Sequence, residues 1–318
     1  MNNSITFLPN KELSMKFIIR NLIKFYMRDF TALCSLDDPE FAEGLAKLKK
    51  KLPQTSAPPK SVRRTMNIKK CRVQDGIYFT ARDKHNRSNK KVLFLHGGGF
   101  FLEALPIQWR FCRRLARDTG CEIILPQYPM VPESNAIDSH IMLMEVYREV
   151  IKSCRPEDLT VIGDSAGGTL ALSLSMLARD NGLPLANEIV LISPGFKIGK
   201  MTDKECRRAE YIKKQDYILG QFPIGKISEL WLKGLDTDDK RANAINVSLS
   251  GFPHITLFSG THDILNIPAR RFVTRMKKER HPFSYYEKKG GAHDYALLKK
   301  YRKEYEVIVS RINKAPMG

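Results

Sequence analysis

The chain has 318 residues, 42% of them hydrophobic and 27% charged. That length and apolar content exclude a mainly disordered polymer and suit one large α/β domain carrying an insertion. The formal net charge of +19 is dispersed in short clusters (49–51, 63–64, 277–280, 299–303) with no nucleic-acid-binding signature beside them, so it reads as a solvated basic surface and no nucleic-acid partner is expected.

Residues 1–65 read as an N-terminal helical cap segment ending in a linker, and 66–318 as the main domain. Apolar positions 18, 19, 22, 23 and 26 have helical spacing, and Arg20 and Lys24 interrupt them. A secretory core or a membrane span needs a longer uncharged run, so an amphipathic helix is expected and a transmembrane segment is not. Covering the protein's own site is favoured for this helix over touching a membrane surface. The Pro-rich stretch 52–59 is the linker by composition. Two strands follow at 70–73 and 77–81, turned by Asp75-Gly76. Strands at 92–95, 122–125, 159–162 and 188–192 then alternate with helices at about 108–118, 135–152 and 167–179. Residues 197 to about 250 break the pattern with charged and aromatic, partly helical sequence, which predicts a cap insertion. Alternation resumes with a strand at 255–258, a helix at 268–278, a strand at 283–287 and a last helix at 295–312. Strands alternating with helices predict a parallel sheet covered on both faces.

The six cysteines, Cys34, Cys71, Cys112, Cys121, Cys154 and Cys206, form no CxxC pair and no cluster with histidine. They read as reduced thiols, which points to a reducing compartment, and a cytoplasmic location is expected. No metal and no cofactor are expected.

The chemistry concentrates at strand ends. Gly163-Asp164-Ser165-Ala166-Gly167 follows the apolar run 159–162 and precedes a helix-compatible stretch. A serine at the apex of a sharp strand-to-helix turn projects its hydroxyl into open space, and glycines tolerate the tight backbone. His96-Gly97-Gly98-Gly99 follows the strand at 92–95, Asp263 follows 255–258, and His293 follows 283–287. Open parallel sheets place ligands at these carboxyl ends. Ser165 is the expected nucleophile, His293 the base that takes its proton, and Asp263 the carboxylate that fixes the imidazole tautomer. His262 precedes Asp263 on a loop and is expected to point elsewhere. Asp294 is expected to be a local hydrogen-bond partner, and Asp164 to brace the turn. The glycine run lets backbone N–H groups face a developing oxyanion, and the Ala166 N–H adds a donor at a helix N-terminus. A phosphate-binding loop is disfavoured, because the run lacks the Gly-Lys-Ser/Thr ending. Phe100, Phe101, Leu102 and Trp109 could line a pocket or simply pack, and substrate-binding residues are not assigned.

His96-Gly97-Gly98-Gly99 together with Gly163-Asp164-Ser165-Ala166-Gly167-Gly168 resembles the hormone-sensitive-lipase-like branch of the α/β-hydrolases. Tyr128-Pro129-Met130-Val131-Pro132-Glu133 resembles the branch's Tyr-x-Leu-Ala-Pro-Glu segment, departing at Met130-Val131. Gly260 to Leu265 and Gly291-Ala292-His293 match its acid and base segments, and the order Ser165, Asp263, His293 is that of the superfamily. The resemblance spans about residues 90–312. It implies an eight-stranded, mostly parallel sheet with a helical cap built from the N-terminal helices and the insertion. It also implies hydrolysis of carboxylic esters, usually of short acyl chains, through an acyl-enzyme without a cofactor. The second and third glycines of the run then map to oxyanion donors at Gly98 and Gly99. The expected partner is a small-molecule ester, and a homodimer is compatible with the chain. Two other readings stay open: an amide or formamide hydrolase with the same triad, and a ligand-binding protein on this fold.

Overall fold

Uninterrupted apolar runs form the centre of a single sheet. In the computed structural model, β3 (Lys91–Leu95), β5 (Leu159–Asp164) and β6 (Glu188–Ile192) are buried at every position, as strands sandwiched between two helical layers must be. The structure describes residues 33, 38–51, 57–74, 76–197, 199–220, 222–236, 239–242 and 244–314. The expected helix around 18–26, Cys34, Asp75 and part of the linker lie outside these residues.

The remaining strands are β1 (Met66–Val73), β2 (Gly76–Asp83), β4 (Glu122–Gln127), β7 (His254–His262) and β8 (Phe283–Ala292). The eight strands run in the order β1-β2-β4-β3-β5-β6-β7-β8. β2 is antiparallel to both β1 and β4, and every other pairing is parallel. The helices are α1 (Asp38–Lys51), α2 (Pro106–Thr119), α3 (Ala136–Lys152), α4 (Ala166–Asp180), α5 (Asp203–Gln215), α6 (Ile224–Trp231), α7 (Asn266–Lys278) and α8 (Arg302–Asn313), with one short turn at Lys60–Arg63. Successive side chains of a strand point to opposite faces. Leu93, Val161, Ile189, Leu191, Ile255 and Leu257 accordingly join a core with α3, α4 and α7. Val92, Phe94, Ile162, Val190, Ile192 and Phe258 join the opposite core under α2 and α8.

Five elements have boundaries that differ from the expected ones. β1 and β2 are longer than the expected 70–73 and 77–81, because their polar outer positions hid the pairing that runs from Met66↔Asp83 to Val73↔Gly76. β7 and β8 also run on past their apolar stretches, through an irregularity between Gly260 and His262. A Cβ on Gly260 would stand 2.1 Å from the Gly291 carbonyl oxygen, so only glycine lets the strands continue together there. The last helix begins at Arg302 and not at 295: Tyr295–Leu297 form a single 3₁₀ turn, and Leu298 is extended. Three consecutive buried residues at 295–297 cannot all face inward from a surface helix.

Candidate active site

β5 delivers Ser165 to the carboxyl end of the sheet, and α4 starts at the next residue. Ser165 has φ 51° and ψ −122°, a conformation side chains rarely take. Such strain costs about 1–3 kcal/mol and persists only where the surroundings enforce it. Here the Ser165 N–H donates to Ile192 O (2.9 Å), while Ser165 O accepts from Gly168 N (2.9 Å) and Gly195 N (2.7 Å). The flanking glycines are steric necessities. A Cβ on Gly163 would lie 2.1 Å from Gly167 O, and one on Gly167 would lie 1.9 Å from Leu95 O.

The structure brings the three residues singled out from the sequence into one hydrogen-bonded chain. Ser165 Oγ lies 2.9 Å from His293 Nε2, and His293 Nδ1 lies 2.9 Å from Asp263 Oδ2. Asp263 is fully buried, and its Oδ1 accepts from Leu265 N at 2.9 Å. Because Asp263 follows β7 and His293 follows β8, two adjacent strands set their spacing. Burial disfavours a charged imidazole at His293, but the carboxyl groups of Asp294, Asp263 and Asp216 outweigh it and raise its pKa above the ordinary value.

Asp216 had no signal in the sequence. It follows α5 in the 197–250 insertion and is buried. Its Oδ2 accepts from Ile264 N (2.9 Å), the residue after Asp263, and its Oδ1 accepts from Ile218 N (3.0 Å) and Leu219 N (2.8 Å). One carboxylate thus ties the insertion to the loop bearing Asp263. Asp294, expected to be a local partner, lies against its neighbour His293. Its Oδ2 lies 3.3 Å from His293 Nε2, the nitrogen that also meets Ser165. His262 lies against Gly290, its Cε1 3.9 Å from where a Cβ of that glycine would stand.

The glycine run packs directly on the serine, since a Cβ on Gly97 would stand 2.8 Å from Ser165 Cβ. Gly98 (φ 127°) and Gly99 (φ 63°) both occupy backbone regions that favour glycine. The N–H groups of Gly98, Gly99 and Ala166 donate to no acceptor among the described residues. The loop is held from behind. Asp164 accepts from Gly97 N (3.0 Å) and from Gln108 Nε2 (2.6 Å), the bracing role expected of it. Tyr128 donates its hydroxyl to His96 O at 2.7 Å, and the two rings stack at 4.6 Å. Burial drives the His96 pKa down to about 4, so its ring is neutral. Gln108 and Tyr128 carry no chemistry of their own; their part emerges only from the folded contacts.

Of the aromatic residues left unassigned, Phe101 and Trp109 are core. Phe100 stacks on Trp231 of α6 with centroids 3.7 Å apart. Phe222, from the insertion, lies over the glycine run, 3.0 Å from the position a Gly99 Cβ would take.

A second Ser-His-acid array stands at the amino-terminal end of the sheet. Ser284 Oγ lies 3.2 Å from His254 Nε2, and His254 Nδ1 lies 2.8 Å from Glu188 Oε1. Glu188 also accepts from Thr256 Oγ1 at 2.6 Å, and Ser284 Oγ accepts from Arg311 Nη2 at 2.7 Å. Among the described residues, no group of three or more His, Cys, Asp or Glu side chains has the arrangement to hold a metal ion.

A family model for the alpha/beta hydrolase fold matches residues 92–297 of the chain. An acetyl-hydrolase of Streptomyces hygroscopicus is 26% identical over 63% of this chain and 66% of its own length. A triacylglycerol lipase of Mycobacterium tuberculosis is 25% identical over 70% of this chain and 46% of its own length. An esterase of Acinetobacter venetianus is 26% identical over 57% and 59%. The chain therefore spans between about half and two thirds of the length of these curated relatives, from 46% to 66%. A solved structure from Staphylococcus aureus, assigned as an esterase, superposes with a TM-score of 0.78 at 26% identity, covering 90% of this chain and 96% of that one. An esterase from the bacterial hormone-sensitive lipase family shares the fold, with a TM-score of 0.71 at 18% identity over 92% and 97%.

Proposed function

The chain belongs to the alpha/beta hydrolase fold family, and from that premise we propose that it is a carboxylesterase-type serine hydrolase. The observation that carries the proposal is the unbroken contact path from Ser165 through His293 to Asp263, with Ser165 strained outward beneath unspent backbone donors. In this reading Ser165 Oγ attacks the ester carbonyl carbon while its proton passes to His293 Nε2. Asp263 accepts the Nδ1–H, holds the tautomer and stabilises the imidazolium. The N–H groups of Gly98, Gly99 and Ala166 receive the charge on the carbonyl oxygen; losing one such donor typically costs a factor of about 10²–10³ in turnover. His293 then returns the proton to the leaving alcohol. Water, deprotonated by the same nitrogen, attacks the acyl carbon; the carboxylic acid departs and His293 returns that proton to Ser165 Oγ.

The ester preference is supported by the relatives, whose names are acetyl-hydrolase, lipase and esterase. A short acyl chain is supported by Phe222, whose ring closes over Gly99, and by the Phe100–Trp231 stack beside it. We assign α1 and the 197–250 insertion to one cap, since Phe41 of α1 and Trp231 of α6 share a core and the Lys226 ammonium lies 5.4 Å from the Phe41 ring centroid. Among the described residues no helix is long and apolar enough to cross a membrane. Cys71, Cys112, Cys121, Cys154 and Cys206 are free thiols, which supports a reducing, cytoplasmic setting.

Hydrolysis of p-nitrophenyl esters from acetate to dodecanoate tests the proposal. Turnover should be highest at acetate or butyrate and fall steeply beyond. A flat or rising profile removes the short-chain reading, and folded protein inactive on every ester removes the esterase reading.

A further inference from the structure

Resting on the assignment of Asp263 as the acid that holds the base, we infer that Asp216 is a positioning residue for the reaction, a cap carboxylate that sets the turn carrying Asp263. Two consecutive N–H groups follow Asp263, and each donates to a different carboxylate. Leu265 N donates to Asp263 Oδ1 at 2.9 Å, and Ile264 N donates to Asp216 Oδ2 at 2.9 Å. Ile264 N belongs to the peptide unit that leaves Asp263. The carbonyl of the same unit, Asp263 O, accepts from Asn266 N at 2.9 Å. A peptide unit is planar, so a bond on each edge fixes its rotation and with it the backbone from which the Asp263 side chain departs.

Asp216 is itself held firmly. It is buried, its N–H donates to Ile212 O at 2.7 Å, and its carbonyl accepts from Gly220 N at 3.1 Å. Its Oδ1 accepts from Ile218 N and Leu219 N. A Cβ on Gly220 would stand 2.4 Å from Asp216 O, so the turn closes only with glycine there. The carboxylate thus faces Ile264 from a rigid mount at the end of α5.

Packing joins the same two segments. Ala209 and Ile212 of α5 share a small buried apolar cluster with Ile264, Leu265 and Ile267, and Leu219 packs against it. Apolar contact holds the surfaces together but is not directional. The hydrogen bond from Ile264 N supplies the direction, because it weakens steeply when the donor swings away. Farther along α7, Arg271 pairs with Glu205 of α5 at 2.7 Å, a tie between the same helices that does not touch the acid loop. A cap that lifts at Asp216 therefore frees the turn bearing Asp263, whereas one that loosens at Glu205 does not. Asp216 acts through Asp263 and touches no reacting atom.

The test is a double-mutant cycle of Asp216→Asn with Asp263→Ala, read on p-nitrophenyl acetate. The asparagine keeps an oxygen for Ile218 N and Leu219 N but turns its amide toward Ile264 N. Asp216→Ser, whose hydroxyl can still accept within the turn, guards against a fold failure of the first. Alone, each Asp216 variant should lower kcat by about 10- to 100-fold with little change in KM, the cost of a misplaced catalytic group. With Asp263→Ala already present, Asp216→Asn should cost no more than about threefold, because the group it acts through is gone. In a Ser165→Ala background, the His293 Nδ1 proton resonance, carried downfield by the bond to Asp263, should move upfield or broaden in Asp216→Asn. Glu205→Gln should leave kcat and that resonance at parental values. Parental kcat in folded Asp216 variants, equal losses with and without Asp263, or an equal loss from Glu205→Gln overturns the inference. Asp263→Ala separates the two layers: if it keeps full turnover, the acid assignment itself fails. If it is crippled while the Asp216 loss is the same in both backgrounds, only the role of Asp216 fails.

Discussion

The molecule carries a serine, a histidine and a carboxylate in hydrogen-bonded series at both ends of its sheet, and the two arrays differ in everything except that series. At the amino end, Ser284 sits inside β8, in register with Thr256 of β7. Its neighbours' N–H groups belong to a strand ladder, and its Oγ accepts from the Arg311 guanidinium. At the carboxyl end, Ser165 has left the ladder, is strained at φ 51°, and stands beside backbone donors with no acceptor among the described residues. In the proposed reading, a relay of the right atoms at the right distances is therefore not a catalytic device by itself. The device also needs a nucleophile outside the secondary structure and main-chain donors kept in reserve for a charge that forms only during reaction.

The contrast is broken most severely by Ser165→Ala, which should lower kcat on p-nitrophenyl acetate by about 10⁴-fold or more while circular dichroism stays unchanged. Gly98→Ala probes the donor side alone. A Cβ there would stand 2.6 Å from Leu102 O in a backbone with φ 127°, so the loop must shift. Loss of a donor should cost about 10²-fold in kcat with little change in KM. Ser284→Ala should leave kcat and KM at parental values. It should cost only about 1 kcal/mol of stability, read as a fall of a few degrees in Tm, since it removes hydrogen bonds at a half-buried site. A loss of turnover there would erase the distinction between the two ends.

How much of this was legible in sequence follows from where the signals lie. β3, β5 and β6 announce themselves because both of their faces are buried, which leaves unbroken apolar runs between polar segments. Ser165, Asp263 and His293 were legible because each sits just past such a run, among glycines whose reason is steric. Asp216 was not, since it stands in a charged insertion and acquires its meaning only when its carboxylate meets Ile264 N across the fold. Nor could sequence assign Asp294, whose approach to Nε2 depends on a left-handed backbone at that one residue. The break at 298–301 was hidden by apolar spacing that continues across it, and the extension of β7 and β8 by glycines that read as loop.

The account turns on which hydroxyl is the nucleophile. Intact-mass analysis with peptide mapping after treatment with a serine-reactive phosphonate tests it most directly. One adduct should form per chain, on the peptide holding Ser165, with Ser284 unmodified and no adduct in Ser165→Ala. An adduct on Ser284, or stoichiometric labelling that survives Ser165→Ala, would contradict the account.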